Sequence, residues 1–425
     1  VYTLKKLSTS EYVRDPRFKA QMMGIKIGLK ATRIVPHARI AAELKKIDWS
    51  KHSLLCHNTA FDGFILSQHY GVVPMFYIDT LSMARGLHSN DIGAGLDEVA
   101  QYYGKGNKIP DVLDRTKGVL NWDKHLFDAA ARYCTQDVDL TIEIFECMHP
   151  QMPEDEMNLI HYTMQMFCDP ILKVDIPRVQ KELERELAYR RELMTSVIDV
   201  DKYQGLNLLK KAERELPEEE RNLIIVKRVI GSNDRFAELL RAEGIEPPIK
   251  ISPAWMKKSA ADRLDEDKWA FAFAKDDADF INLPEHIDVW GSQYNLNKKK
   301  DMDAMLVKQA RIKNLVECRL AVKSTTNVTR AQRFLTAGAN GMSLPVGYSY
   351  YRAHTGRMGG NNKMNMQNLT RGGELRLSIL APPGHQLVVR DSGQIEARVN
   401  GWLWGQEDLL DAFRAADAGT GRDAY

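Results

Sequence analysis

Ser53-Leu54-Leu55-Cys56-His57-Asn58-Thr59-Ala60-Phe61-Asp62-Gly63-Phe64-Ile65-Leu66 joins two apolar runs of different character through a short polar hinge. The first, Ser53–Cys56, is short and reads as a strand. The second, with Phe61, Phe64, Ile65 and Leu66, has the stripe of a helix. Asn58 stands where a helix N-cap is expected, so Asp62 falls in the first turn. There the helix dipole favours the ionised carboxylate, which suits a metal ligand. The plain alternative is an acid that complements the dipole and does nothing more.

Outward from this junction the pattern continues. Met22–Leu29 reads as a strand, and Phe61–His69 and Ala129–Met148 read as helices, so residues 1–150 alternate strand and helix. Pro150 and Pro153 then mark a change of character. Residues 151–345 are mostly helical in composition and highly charged, as in Arg178–Arg191, with an irregular aromatic and Lys-rich insert at Pro247–Lys300. Residues 346–425 open with the Gly- and Asn-rich Tyr351–Leu369, followed by an expected buried strand, Gln386–Val389, and a helix from Gln394. Three domains with these bounds are expected.

Composition narrows the classes. The 425 residues are 44% hydrophobic and 27% charged, an ordinary folded composition with room for several cores. No apolar run approaches the roughly 18 residues of a membrane span. Five scattered cysteines, without a C-x-x-C pair, argue against a disulfide framework or structural zinc and for a reducing compartment. A formal charge of +2 does not by itself point to nucleic acid.

A second element is Tyr133-Cys134-Thr135-Gln136-Asp137, on a helix whose expected core stripe is Phe127, Ala130, Cys134, Val138 and Ile142. Tyr133 and Asp137 are four apart and share a face. Alone, Y-x-x-x-D is weak. Together, H-N-x-x-F-D and Y-x-x-x-D about 75 residues later resemble the second and third motifs of the DEDD 3′→5′ exonucleases, tyrosine subtype. The resemblance implies a ribonuclease-H-like sheet and two divalent metals, Mg²⁺ or Mn²⁺, held by four carboxylates; paired cations of this kind activate water and stabilise a leaving oxygen. It assigns Asp62 and Asp137 as metal ligands, Asn58 to the DNA strand, and Tyr133 to orienting water, since a free phenol near pKa 10 is a poor base at neutral pH. The family's first motif, D-x-E, does not occur upstream of Tyr12–Leu29. Weak metal binding and slow or no cleavage by this chain are therefore expected.

The strongest resemblance lies further on. Leu387-Val388-Val389-Arg390-Asp391-Ser392-Gly393-Gln394-Ile395-Glu396-Ala397-Arg398 is similar to the A motif of family A (DNA polymerase I-like) DNA polymerases, D-x-S-Q-I-E-x-R, with Gly393 for the usual Ser. The resemblance assigns Asp391 to the catalytic metal pair, and Gln394, Glu396 and Arg398 to the incoming dNTP. Thr355-Gly356-Arg357 and Asn365-Met366-Gln367-Asn368-Leu369 resemble the family's T-G-R … N-L-Q-N-L segment, with Met364 for its Pro. Arg357, Gln367 and Asn368 would then read minor-groove acceptors that every base pair presents. Gly244–Ser252, Ala270–Asp277 and Arg319–Thr326 resemble thumb segments of phage polymerases, so Lys323, Ser324 and Thr325, with Arg330 and Arg333, would grip duplex phosphates.

The expected whole is a multidomain α/β protein: a ribonuclease-H-like exonuclease domain, a mostly helical thumb, and the start of a right-hand polymerase palm. It would replicate DNA with proofreading, phage-style, using primer-template DNA, dNTPs and replication accessory proteins, in the cytoplasm (the host's, if phage-encoded) and away from membranes. No fingers helix or H-D-E motif follows Asp391. A stand-alone DEDD exonuclease and a non-catalytic primer-template binding module are the competing readings.

Overall fold

Ser8 accepts the Glu11 amide while the Glu11 carboxylate takes the Ser8 amide, and this capping box starts α1 (Thr9–Arg14). In this computed structural model the described residues are 2–88, 91–109, 112–119, 121–197, 208–295 and 297–421. Two compact units divide the chain, Val1–Ile379 and Leu380–Tyr425.

In the first unit, β1 (Met22–Ile25) pairs antiparallel with β2 (Arg33–Pro36), which runs into α2 (His37–Leu44). The strand expected over Met22–Leu29 stops early, because Gly28 turns through a left-handed φ of +56° and leaves Leu29 wholly exposed. β3 (Ser53–Cys56) leads into α3 (Thr59–Tyr70), and β4 (Phe76–Asp79) into α4 (Thr80–His88). β3 and β4 are parallel, with Cys56 opposite Asp79. Both helices therefore leave from the same carboxyl edge, the side on which parallel sheets present their sites.

After α5 (Leu96–Tyr102) and α6 (Val112–Thr116) comes α7 (Lys124–Met148), about 37 Å long by its residue count. Asp123 caps it by accepting the Leu126 amide at 2.7 Å. α7 lies against β1, β2 and β3. A Cβ on Gly24 of β1 would come within 2.8 Å of Cys134 Sγ, so any larger residue would force Cys134 to shift. Of the expected core stripe of α7, Ala130 is buried, and Phe127, Cys134 and Val138 are half-buried. Leu140, Ile144 and Met148 are buried in its second half, joining α4, α5 and α8 (Glu154–Cys168), while Ile142 is only half-buried.

The α/β expectation for the first 150 residues and the helical expectation for the middle both hold. A short strand, β5 (Lys173–Val174), precedes α9 (Ile176–Ser196), whose cap is Asp175. α10 (Glu218–Gly231), α11 (Asn233–Ala242), the hairpin of β6 (Ile249–Ile251) and β7 (Trp269–Phe271), and short helices α12 (Pro253–Lys257), α13 (Ala278–Ile281) and α14 (Ile287–Trp290) follow. Of these, α10, α11, β7, α13 and α14 gather with α15 (Lys299–Lys323) around Phe236, Phe273, Phe280, Trp290 and Leu315. α16 (Thr326–Gly338) packs on α9, and a β8–β9 hairpin (Tyr348–Ser349 with Gly359–Gly360) and α17 (Glu374–Leu377) complete the unit.

Arg319 on α15 is 1% exposed and has no carboxylate among its hydrogen-bond partners. Its guanidinium donates to the carbonyls of Ile230 and Ser232 and to Asn233 Oδ1, at the C-terminal end of α10, and lies over the rings of Phe236 and Phe273 at 5.1 and 5.3 Å. Helix carbonyl ends and aromatic faces are where a cation is stabilised. Burial holds this group down at about 10, so it stays charged at neutral pH.

The second unit contains α18 (Ile395–Leu403) and α19 (Glu407–Asp417), packed as a hairpin. Here one expectation is corrected. Leu387, Val388 and Val389 are 51%, 68% and 78% exposed and form no strand. A strand needs a ladder partner, and no described strand pairs with this segment.

Arg319→Lys keeps the charge but loses the planar fork. It should lower the stability of the α10–α11–α15 cluster by on the order of 3 kcal/mol, since buried carbonyls lose their donors. Hydrogen exchange of α10 and α11 amides measures this; protection equal to the wild type would contradict it.

Candidate active site

The carboxyl edge of β3 and β4 is organised by a residue the sequence reading passed over. Asp79 is 2% exposed and accepts four hydrogen bonds: Oδ1 from the amides of Asn58 and Thr59 at 2.8 and 2.9 Å, Oδ2 from the Ser82 amide and hydroxyl at 3.1 and 2.6 Å. It thus caps α3 and α4 together. Asn58 does occupy the N-cap position, but its side chain makes no capping bond and its backbone is left-handed at φ +70°. The Asp79 carboxylate has taken over its task. Thr59 locks the joint from the other side, its hydroxyl donating to the Ile78 carbonyl at 2.6 Å. The signal was present in Phe76-Tyr77-Ile78-Asp79-Thr80, a second apolar strand ending in an acid.

This clamp sets Asp62 one turn into α3. The residue as a whole is exposed. Loss of hydration, then the charges of Asp79 and Asp137, push it up to about 6. Asp137 comes to the same place from α7. Its Oδ2 pairs with Lys108 Nζ at 2.8 Å, and its Oδ1 is buried with no hydrogen-bond partner. Tyr133, one turn earlier, has Lys108 Nζ 4.9 Å from its ring centre. Burial raises its phenol, with Lys108 opposing and Asp137 adding, so it remains a donor at neutral pH. His57 completes the group. Its Nδ1 lies 3.0 Å from Thr80 Oγ1, its Nε2 is buried without a partner, and burial depresses its pKa, so the ring is neutral.

Asp62, Tyr133 and Asp137 are thus brought together, joined by His57, Asp79 and Lys108. In the sequence His57 stands out only as the first residue of H-N-x-x-F-D. Lys108 was missed, though Gly104-Lys105-Gly106-Asn107-Lys108 is a basic, glycine-broken segment of the kind that meets phosphates. For divalent metals the fit is incomplete. Asp137 Oδ1 is buried without a hydrogen-bond partner, and Asp137 is close enough for its charge to act on Asp62. Yet among the described residues no group of three or more His, Cys, Asp or Glu side chains could hold an ion. Hard cations take six or more oxygens, and two carboxylates do not supply a pair of them.

The remaining assigned residues stand elsewhere in the first unit. Lys323, Ser324 and Thr325 are exposed at the turn between α15 and α16. Arg357, Gln367 and Asn368 are exposed too. Gln367 donates to the Met358 carbonyl at 3.0 Å, and Arg330 to the Asn368 carbonyl at 3.0 Å. Arg333 donates to the Lys363 carbonyl. Arg330 and Arg333, expected at phosphates, therefore tie the 361–369 segment to α16. In the second unit, Asp391 and Glu396 are exposed, and Gln394 takes a left-handed φ of +57° at the start of α18. Arg398, assigned to the nucleotide, forks onto Asp417 at 2.6 and 2.7 Å and lies over Phe413 at 4.6 Å.

Residues 29–153 match the family model described as 3′-5′ exonuclease. The chain is 39% identical over 75 residues to DNA polymerase I of Chloroflexus aurantiacus, covering 17% of this chain and 8% of that one. It is 22% identical over 372 residues to DNA polymerase I of Rhizobium leguminosarum, covering 84% and 30%. The solved structure titled "POL domain of Pol1 from M. smegmatis complex with DNA primer-template and dNTP" is similar over 90% of this chain and 56% of that one, with a TM-score of 0.48 and 13% identity. Residues 29–153 are thus similar to the 3′-5′ exonuclease family, and parts of the chain are similar to two DNA polymerase I sequences. The chain spans less than a third of the length of the curated relatives it matches. No helix among the described residues is long and apolar enough to cross a membrane.

Asp62 gives a pH signature. Its pKa is about 6 in the fold against an ordinary 3.8, so between these values the folded chain holds a proton that the unfolded chain has released. Its contribution to stability is present at low pH and is lost as pH rises through about 6. Asp62→Asn should therefore flatten the fall in Tm between about pH 4 and 6 and raise Tm at pH 7. Parallel Tm–pH curves for variant and wild type would contradict this.

Proposed function

We propose that this chain is part of a DNA-directed DNA polymerase with 3′→5′ proofreading, its trimming site at Asp62, Tyr133 and Asp137 and its extending site at Asp391. One observation carries the trimming half. Two aspartates about 75 residues apart converge beside Tyr133, inside the stretch that matches the exonuclease family. The tyrosine subtype is supported by Tyr133, whose protonated phenol orients water instead of removing its proton. A pair of Mg²⁺ or Mn²⁺ ions in each site, which the sequence resemblance implies, needs carboxylates beyond Asp62 and Asp137.

The polymerase half rests on the segment from Asp391 to Arg398 and on the likeness to two DNA polymerase I sequences. Asp391 carries the metal role, Gln394 and Glu396 the dNTP role, and Arg398 reaches the nucleotide only by leaving Asp417. Lys323, Ser324, Thr325, Arg357, Gln367 and Asn368 are exposed donors suited to primer-template DNA. Residues 1–150, 151–345 and 346–425 then serve as exonuclease, thumb and start of the palm. A phage-type enzyme working in the cytoplasm with accessory proteins is the form we favour, on the thumb segments quoted above. The binding-module reading keeps one supporting observation, the lack of a three-ligand cluster among the described residues.

A labelled primer-template with Mg²⁺ and dNTPs separates the readings into extension, trimming or binding alone. In the polymerase, Asp391→Ala should abolish extension and spare trimming, and Asp62→Ala or Asp137→Ala should do the reverse. One substitution that removed both activities from a folded enzyme would defeat the two-site division. DNA binding should weaken steeply with salt, and Lys323→Gln should reduce the log–log slope by about one charge.

A further inference from the structure

The exonuclease site contains a cation belonging to the chain itself. Lys108 Nζ lies 2.8 Å from Asp137 Oδ2 and 4.9 Å from the Tyr133 ring centre, and its charge reaches His57. Both partners of the pair are only 25% exposed. By contrast, Lys51–Asp48 and Lys117–Asp114 are surface pairs in which every side chain is at least half exposed.

The segment that carries Lys108 is fixed by dedicated side chains. Asp97 Oδ1 accepts the Lys108 amide at 2.7 Å, Gln136 Oε1 accepts the Ile109 amide at 2.9 Å, and Gln136 Nε2 donates to the Asn107 carbonyl at 2.8 Å. Gly104 and Gly106, at φ +66° and +106°, turn the chain from the end of α5 down onto α7. Gln136 is the neighbour of Asp137 in sequence, so one helix turn sets both the loop and the carboxylate. A lysine kept for solubility needs none of this.

The charge inventory gives the arrangement its purpose. Asp62, Asp79 and Asp137 would repel a polyanionic strand approaching this edge. We infer that Lys108 is a substrate-contacting residue of this site, exchanging its pairing with Asp137 for the phosphodiester next to the 3′ end of a single strand. The inference rests on the exonuclease reading above. An ammonium on a flexible stem makes such a swap readily, because it is a point charge with three donors and no fixed fork. One carboxylate is exchanged for one phosphate, and no covalent bond changes. The swap leaves both oxygens of Asp137 open, where one is open already. Lys108 thus holds Asp137 in place until the strand arrives.

The test is made in EDTA, so that it reads contact and not turnover. A short oligothymidylate ending in 4-thiothymidine is photo-crosslinked to the chain across a KCl series, and the crosslinked peptides are mapped by mass spectrometry. The wild type should crosslink within residues 57–137, with a yield that falls as salt rises. Lys108→Gln should lose about tenfold in apparent affinity there and shallow the salt slope by about 0.7. Lys108→Arg should restore the slope, and Lys51→Gln should match the wild type. A Lys108→Gln protein that crosslinks at the same peptide with wild-type affinity and slope overturns the inference and leaves the exonuclease reading standing. A wild type that crosslinks nowhere in 57–137 sinks the exonuclease reading and the inference with it. Should Lys108→Gln lower Tm, the arginine variant decides: a wild-type slope supports a phosphate contact, and a lost slope overturns it.

Discussion

Asp79 is a buried carboxylate with no cation among its hydrogen-bond partners, and the site depends on how that charge is tolerated. An isolated ion in a protein interior is costly, and the usual remedy is a paired opposite charge. Here the remedy is four hydrogen bonds, three of them from backbone amides at the starts of α3 and α4. The positive ends of two helix dipoles add to these. Because α3 and α4 follow adjacent parallel strands, one carboxylate can reach both. It thereby fixes where α3 begins and so where Asp62 stands.

The same arrangement explains why the site is acidic yet stays assembled. Hydrogen bonds and helix dipoles stabilise the Asp79 charge and Lys108 pairs with Asp137, while loss of hydration, and then the charges of these two acids, make Asp62 hold its proton to higher pH. Burial alone would depress the Lys108 ammonium, but Asp137 and Tyr133 outweigh it and hold the group above its ordinary value. The carboxylate and the ammonium each make the other's charge tolerable.

Much of this was legible because local chemistry and tertiary structure agree. The strand-to-helix junction at Ser53–Leu66 and the Tyr133–Asp137 spacing depend on neighbours in sequence, and both appear as read. Asp79 was missed because its partners, Asn58 and Thr59, lie 20 residues upstream, and a strand-end acid looks like any turn residue. Lys108 was missed for a similar reason, since its partner is on α7. The capping role given to Asn58 was displaced by a stronger acceptor that sequence spacing cannot reveal. At Leu387–Val389 the apolar run reads as a strand, but β structure requires a partner ladder as well as propensity. With none beside it, the segment stays open and its side chains face water.

Asp79 and Arg319 solve one problem with opposite signs. Asp79 sits at helix starts, where amides point outward; Arg319 sits at the end of α10, where carbonyls do. Neither has an oppositely charged side chain among its hydrogen-bond partners. Backbone dipoles cost no side-chain entropy to orient, because the helix has already fixed them. The consequence differs between the two regions. Around Arg319 the charge is sealed between Phe236 and Phe273 and serves the core of the helical cluster. Around Asp79 the charge lies at the carboxyl edge of β3 and β4, and Asp62 nearby is exposed. Fixing the buried acid by main-chain groups leaves the nearby acids, Asp62 and Asp137, unspent for a ligand that approaches from that edge.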